Sequence, residues 1–510
     1  MNKFSKLLTK ATKVLVAVFM MVCMLGITAG PAFAEDPDYT GKTVILHTND
    51  VHGNVANYQY VAGVKQYFEG CGATVILVDA GDFSQGSTNV SVSKGENGVS
   101  MMNAAGYDIA TLGNHEFDYG YDQLKTNLTG AAFEVICGNV YDSNGLVFNP
   151  YTVVNTGTIS VGFFGLETPE AQTKVNPALI KGLSITAEDQ MYADAQASID
   201  ALNAAGVDTV IGLVHLGIDN ESAPNRSTDL WANISGADML IDGHSHSELT
   251  AGPNGEPIVS TGTQIANIGV IVLDDTGAIE DNYLMKVDAS TPSNATVAAA
   301  GQAIIDDINS KYGATFATSE VTLNGAKAPN GNRDSETNNG DLITDAMVYI
   351  VTKDGVDSLS VPAENLVAIT NGGGIRATIN PGDVTMNDIK SVLPFGNTVA
   401  LVYVTGEELL EALEASTHCT PEAVGAFPQV SGIDFTLDTT KAYDANPETY
   451  PGSTYFGPAS INRITINSIN GKAFDPNAKY GVITNNFCAA GGDTYYAFAS
   501  ATEQFDTGIP

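Results

Sequence analysis

A chain of 510 residues with 44% hydrophobic composition exceeds one ordinary core and should divide into about two to four domains. Its formal charge of −36, from 58 acidic against 22 basic side chains, excludes nucleic-acid polymers and anionic membranes as partners, because affinity for both rests on Lys and Arg. A small anionic substrate is still compatible with that surface where metal ions and a few arginines dominate the local field.

In chain order, Lys3, Lys6, Lys10 and Lys13 precede an apolar stretch from Val14 to Ile27, and Ala32-Phe33-Ala34 offers the small residues of a cleavage site before Glu35. Residues 1–34 therefore read as a secretory signal, whose removal takes the charge from −36 to about −40. The mature protein is expected to be secreted or extracytoplasmic, without stable membrane insertion, since no later segment is apolar and long enough to span a bilayer. Export permits disulfides among Cys71, Cys137, Cys419 and Cys488, but the spacing fixes no pairing and shows no zinc pattern.

Three β-like runs then end in chemistry-bearing residues. Thr43 to Asp50 ends in Asp50 with His52 beyond it, Thr74 to Asp82 ends in Asp82, and Tyr107 to Asn114 ends in Asn114 and His115. The steps from Asp50 to Asp82 and from Asp82 to Asn114 are both 32 residues, about one strand-helix-strand unit. Parallel strands so spaced deliver their last residues to one edge of a sheet, where α/β proteins bind ligands. Two further runs, Val210 to His215 and Met239 to His246, repeat the pattern with His215, His244 and His246. Helix-like stretches alternate with these runs at Tyr58 to Phe68, Tyr121 to Leu128 and Ala187 to Ala204, which predicts a βα-alternating domain over 35–289.

After the breaker Thr291-Pro-Ser-Asn294, residues 290–317 read as a linking helix. A second α/β domain is expected over 318–510, with strands at Leu366 to Thr370, Val399 to Val404, Arg463 to Ile466 and Tyr480 to Thr484. Helices are expected at Asp341 to Val351 and Glu407 to Ala415.

Asp50, His52, Asp82, Asn114, His215, His244 and His246 are more donors than one catalytic ion takes. Seven donors, with one carboxylate able to bridge, suit two divalent ions about 3.5–4 Å apart. Imidazole, carboxylate and amide oxygen fit Zn, Mn, Co or Fe without selecting among them. His115, beside Asn114 and three residues before Asp118, has the imidazole-carboxylate pairing suited to acid or electrostatic work. Asp118 also stands where a helix N-cap would before Tyr119. His47 and His418 receive no role.

The blocks Thr48-Asn-Asp-Val-His-Gly53, Gly81-Asp-Phe-Ser-Gln-Gly86, Gly113-Asn-His-Glu-Phe-Asp118, Val214-His-Leu-Gly217 and Asp242-Gly-His-Ser-His246 resemble the signature of the calcineurin-like metallophosphoesterases. More narrowly they are similar to the secreted 5'-nucleotidases and UDP-sugar hydrolases. The resemblance continues through Asn338-Asn-Gly-Asp-Leu-Ile343, Asn371-Gly-Gly-Gly-Ile-Arg376, Leu393-Pro-Phe-Gly396, Thr484-Asn-Asn-Phe487 and Gly491-Gly-Asp493.

It implies an N-terminal metallophosphoesterase sandwich, a linking helix and a C-terminal α/β domain that binds substrate. One metal would be held by Asp50, His52, Asp82 and His246, the other by Asp82, Asn114, His215 and His244, with Asp82 bridging. His115 and Asp118 match the catalytic pair. Arg333, Asn371, Gly373, Gly374 and Arg376 match groups that bind the anionic part of a nucleotide, Phe395 and Phe487 the aromatics that sandwich its base, and Asp493 the ribose contact. The implied activity is release of phosphate from nucleoside 5'-phosphates by in-line attack of metal-activated water. A 2',3'-cyclic-nucleotide phosphodiesterase with 3'-nucleotidase activity and a UDP-sugar hydrolase are the related alternatives. A non-catalytic surface nucleotide-binding or adhesive protein is the alternative of another class.

Overall fold

The computed structural model describes residues 37–353 and 359–510, so the leader expected over 1–34 lies outside the described residues. The first unit packs two six-stranded sheets face to face. In one of them β1 (Thr43–Thr48), β2 (Thr74–Asp79) and β3 (Ile109–Ala110) lie side by side and parallel. They are linked through α1 (Tyr58–Gly70) and α2 (Glu96–Ala105). All six residues of β1 are buried, which is why its run lacks polar alternation: both faces of the strand are covered.

Register places Thr48 opposite Asp79 and Asp79 opposite Ala110. The partners are thus one residue closer in sequence than the candidate ligands, and Asp50, Asp82 and Asn114 stand progressively further beyond their strand ends.

β4 (Thr209–His215) and β5 (Met239–Ile241) are parallel neighbours too, but in the second sheet. The five strand ends therefore come from both layers of the sandwich and not from one sheet edge as the spacing predicts. Periodicity reports strands but cannot report which layer each joins. Ile45, Ile76 and Val78 meet Phe163, Ile211 and Leu213 in the shared interior, and this apolar layer fixes the two sets of strand ends against each other. His47 points away from the site: its ring covers Gly269, where an added Cβ would lie 1.9 Å from Nε2, and burial pushes its pKa down to about 3.

The helix expected after Asn294 is α3 (Ala295–Tyr312), whose N-cap Asn294 side chain accepts from the amides of Thr296 and Val297. It packs on the first unit through Val297 and Ile304, and Gly301 lets it approach the Val55 carbonyl at a spacing that leaves no room for a Cβ.

The second unit centres on a five-stranded mixed sheet. Its strands β6 (Leu366–Asn371) and β8 (Lys479–Asn485) are parallel neighbours, while β7 (Val399–Thr405) runs antiparallel to β8. Because β6 and β8 end at the same edge, the Gly372–Gly374 turn and the Phe487 to Asp493 segment emerge together. The sequence-predicted helices at 341–351 and 407–415 run Asn338–Lys353 and Gly406–Ser416. Cys71, Cys137, Cys419 and Cys488 are all free.

Candidate active site

At the ends of β1, β2 and β5 the backbone leaves the strand through left-handed turns. Asp50, His52, Asp82, His244 and His246 all have positive φ, between 45° and 74°. Non-glycine residues adopt this region rarely, and its concentration at five of seven candidate ligands is local strain held by the surrounding fold. The turns bring Asp50, His52, Asp82 and His246 together, while His244 lies beside the His215 ring, centres 5.2 Å apart, and joins none of the donor groups found among the described residues. Asp50, His52 and His246 form one group of donors, Asp50, Asp82 and His215 a second, and His52, Asp82 and His115 a third, each with its atoms within 4.8 Å. His215 Nε2 is 3.2 Å from Asp82 Oδ2, His246 Nε2 is 3.3 Å from Asp50 Oδ1, and His52 Nε2 is 3.7 Å from a carboxylate oxygen of each aspartate.

Three of the rings have one nitrogen occupied on the far side. His52 Nδ1 is 3.1 Å from the Gln85 carbonyl and His215 Nδ1 is 2.6 Å from the Ala80 carbonyl, so each Nδ1 carries the proton and donates it. His244 Nε2 is 2.6 Å from Glu170 Oε2. The opposite nitrogens of His52 and His215 face the other donors, His52 Nε2 lying 3.0 Å from His246 Nε2 and His215 Nε2 beside Asp82, and a ring held from its far side in this way is the arrangement typical of metal-binding histidines. The buried Oδ1 of Asn114 has no hydrogen-bond partner, which is costly for a polar atom unless something else satisfies it.

Burial opposes charge on Asp50 and Asp82, yet the neighbouring histidines outweigh it and hold both carboxyls below the usual carboxylate range. His52 is driven well down by burial. His215 is raised despite burial because Asp82 adjoins it.

His115 stands at the edge of this cluster as a member of the third group, with Nε2 4.0 Å from Asp82 Oδ2. Its backbone N–H donates to Asp82 Oδ1 at 3.0 Å, and its Nδ1 is 2.6 Å from Asp118 Oδ2. Burial pushes His115 down to about 3 and Asp118 well up. Asp118 does not cap the next helix, which begins at Tyr121 after Gly120; its carboxyl serves His115 instead.

The second unit closes the site into a cleft of about 360 Å³ whose walls include Arg333, Asn371, Gly373, Gly374, Arg376, Phe395, Phe487 and Asp493. Five of the chain's 22 basic residues, Lys94, Lys174, Lys327, Arg333 and Arg376, line it, so this acidic molecule gathers scarce positive charge at one place. Phe395 lies against His115, ring centres 5.6 Å apart, with the Arg376 guanidinium 5.7 Å from its own ring. Phe487 is buried and packs over Gly492. Asp493 accepts from Asn371 Nδ2 at 2.8 Å. Arg376 is pushed down to about 10 by burial and by Arg333.

Sequence reasoning missed the groups that hold these parts in place. Glu116 accepts from the amides of Asp82, Phe83, Ser84 and Gly113 at 2.7–2.9 Å, tying the β2 and β3 loops together. Its place between His115 and Asp118 gives no hint that it reaches back across 34 residues. Glu170, Lys174, Glu221 and Lys327 sit where the two units meet: Lys174 pairs with Glu221, and Lys327 donates to the Ser245 carbonyl at 3.3 Å. None lies in a strand-end run.

Residues 43–248 match the calcineurin-like phosphoesterase family and residues 314–500 the 5'-nucleotidase C-terminal domain. The chain is 28% identical over 526 residues to the trifunctional nucleotide phosphoesterase protein YfkN of Bacillus subtilis, covering 93% of this chain and 33% of that protein; it thus spans about a third of that relative's length. It is 28% identical over 531 residues to the 5'-nucleotidase of Homo sapiens, covering 92% of this chain and 86% of the relative. The crystal structure of a 5'-nucleotidase precursor from Thermus thermophilus superposes with a TM-score of 0.76 at 27% identity, covering 92% of this chain and 94% of that one.

Proposed function

Since the chain belongs to the calcineurin-like phosphoesterases that carry a 5'-nucleotidase C-terminal domain, and so to the metal-dependent phosphomonoester hydrolases, we propose that it releases phosphate from nucleoside 5'-phosphates outside the cytoplasm. The observation that carries this reading is the junction of two half-sites. Metal-type donors come from the first unit alone, and cations and aromatic rings come mainly from the second. Extracytoplasmic action rests on the leader-like sequence of residues 1–34. Among the described residues no helix is long and apolar enough to cross a membrane.

Asp50, His52, Asp82 and His246 hold one divalent ion in this proposal, and Asp82, Asn114, His215 and His244 the other. The unsatisfied Asn114 Oδ1 and the convergence of Asp50, Asp82, His52, His215 and His246 fit that donor set. Two such ions, when bound, lower the pKa of a shared water and offset charge on the attacking and leaving oxygens of an in-line displacement.

The remaining steps belong to the protein's own groups. Arg376 and Arg333, with the glycine-rich turn after β6, receive the phosphate, where bidentate guanidinium contacts fix its orientation. His115, uncharged in the resting site, gains basicity when a phosphate dianion arrives. Its Nε2 then serves the transferring group or the leaving oxygen, while Asp118 keeps the ring from turning. Phe395, at the cleft wall beside His115, offers with Phe487 faces for base stacking, worth about 1–3 kcal/mol per base. Asp493 orients the ribose.

Phosphate release from 5'-AMP, compared with 3'-AMP, 2',3'-cyclic AMP, ATP and UDP-glucose, tests the assignment. 5'-AMP is expected to lead the panel. Dialysis against a chelator should abolish its hydrolysis, and Mn²⁺, Co²⁺ or Zn²⁺ should restore it. Preference for the cyclic or 3' substrate would replace the assignment with a phosphodiesterase, and full activity in metal-free protein would remove the dimetal chemistry.

A pH-dependent trade-off is expected at Asp493. Burial pushes its carboxyl up to about 6 from the ordinary 3.8, so the folded protein holds this proton more tightly than the unfolded chain does. That contribution to stability is complete below pH 4 and lost as pH rises through 6. Asp493→Asn should leave the Tm near wild type at the acid end, raise it above pH 6, and raise KM for 5'-AMP. An unchanged difference in Tm between pH 4 and pH 8 would contradict the charge argument.

A further inference from the structure

Of the three candidate-ligand rings held from the far side, two are fixed by backbone carbonyls of the first unit. His244 differs: it leans on a side chain, that of Glu170, and the second unit leans on the same side chain. Glu170 is buried, 1% exposed, and follows the strand Ser160–Glu167. Its Oε2 accepts from His244 Nε2 at 2.6 Å and from the Ser222 hydroxyl at 2.8 Å, and its Oε1 accepts from the Tyr455 hydroxyl of the second unit at 3.4 Å. A buried carboxylate depends on such donors, because losing one leaves charge poorly compensated.

The helical turn that Glu170 opens is stitched to the second unit again within one turn of chain. The Asp493 N–H donates to the Thr173 carbonyl at 2.8 Å. Lys174 pairs with Glu221, whose Oε2 accepts from the Gly425 N–H at 3.2 Å.

We propose that Glu170 is a positioning residue that orients His244 for the metal centre and through which docking of the C-terminal unit raises metal affinity. The inference rests on the dimetal reading above. The ring nitrogen facing away from a metal sets the angle and basicity of the one facing it, and removing its partner costs about 10–100-fold in metal affinity or activity. Because Tyr455 and the Asp493 segment belong to the second unit, separating the units strips Glu170 of a donor and frees the turn that carries it. Linkage makes the effect reciprocal: what favours docking favours metal, and metal favours docking.

Glu170→Ala, Glu170→Gln and Tyr455→Phe, each in the full chain, test this by two readouts. One is the number of ions retained against graded chelator. The other is the free Mn²⁺ that half-restores hydrolysis of p-nitrophenyl phosphate, a substrate without a base. Glu170→Ala should lose one of two ions where wild type keeps both and shift the Mn²⁺ midpoint by about 10–100-fold. Glu170→Gln, whose amide oxygen still accepts the ring N–H, should recover most of that shift. Tyr455→Phe keeps its ring packing and should move the midpoint in the same direction by about threefold, the scale of one hydrogen bond.

Wild-type ion retention and midpoint in Glu170→Ala, or a Glu170→Gln no better than Glu170→Ala, overturns the positioning role. An unmoved midpoint in Tyr455→Phe overturns the coupling to the second unit. Phosphate release from 5'-AMP by wild type tests the nucleotidase assignment separately, so the two failures are distinguishable.

Discussion

Asp82→Ala is expected to lower phosphate release from 5'-AMP by about 10³-fold or more, several kcal/mol of lost charge stabilisation at about 1.4 kcal/mol per tenfold. No other substitution among the candidate ligands should cost as much. Asp82 Oδ2 is within 4.0 Å of His52, His115 and His215, and Oδ1 accepts the His115 N–H at 3.0 Å, so its removal loosens both proposed metal positions and the proposed catalytic imidazole together. Alanine is also strained at the φ of 64° that Asp82 adopts. Asp82→Asn is the cleaner companion, since asparagine tolerates left-handed backbone and keeps an acceptor for His115 while losing the charge. Both variants should retain fewer than two ions by elemental analysis. An Asp82→Asn protein with two ions and wild-type turnover would show that Asp82 does not bridge.

His115→Ala should reduce kcat by about 10²–10⁴ and leave metal content near wild type. The geometry makes this a sharp comparison, because His115 shares a donor group with His52 and Asp82 while its other nitrogen is bound to Asp118. A group acting on the phosphoryl oxygen lowers turnover without lowering occupancy. A metal ligand lowers both in proportion, and that result would move His115 into the ligand set.

The strand ends and their order were legible because ligand residues interrupt long apolar runs, and buried parallel strands write themselves as such runs. The helices over 58–70, 188–205, 338–353 and 406–416 were legible for a similar reason: each presents one apolar face to a sheet or its neighbours. The division of the strand ends between two sheets was not, since one parallel pair reads like another whichever layer it joins. Glu116 and Glu170 were equally invisible. Their partners lie 34 and 74 residues away, and a carboxylate in a polar loop has no periodicity to betray it. The family resemblance supplied the substrate-side residues, which composition alone would assign to a core or a solvated loop; all eight line the cleft.

The left-handed turns at Asp50, His52, Asp82, His244 and His246 bear on how such a centre arises and on what copying it requires. A regular strand with the same five side chains grafted onto it would point them elsewhere, so the inheritable unit is the loop, with its side chains as passengers. A designer moving this centre to another scaffold would have to transplant the turns and the carboxylate brace beneath them before choosing a single ligand.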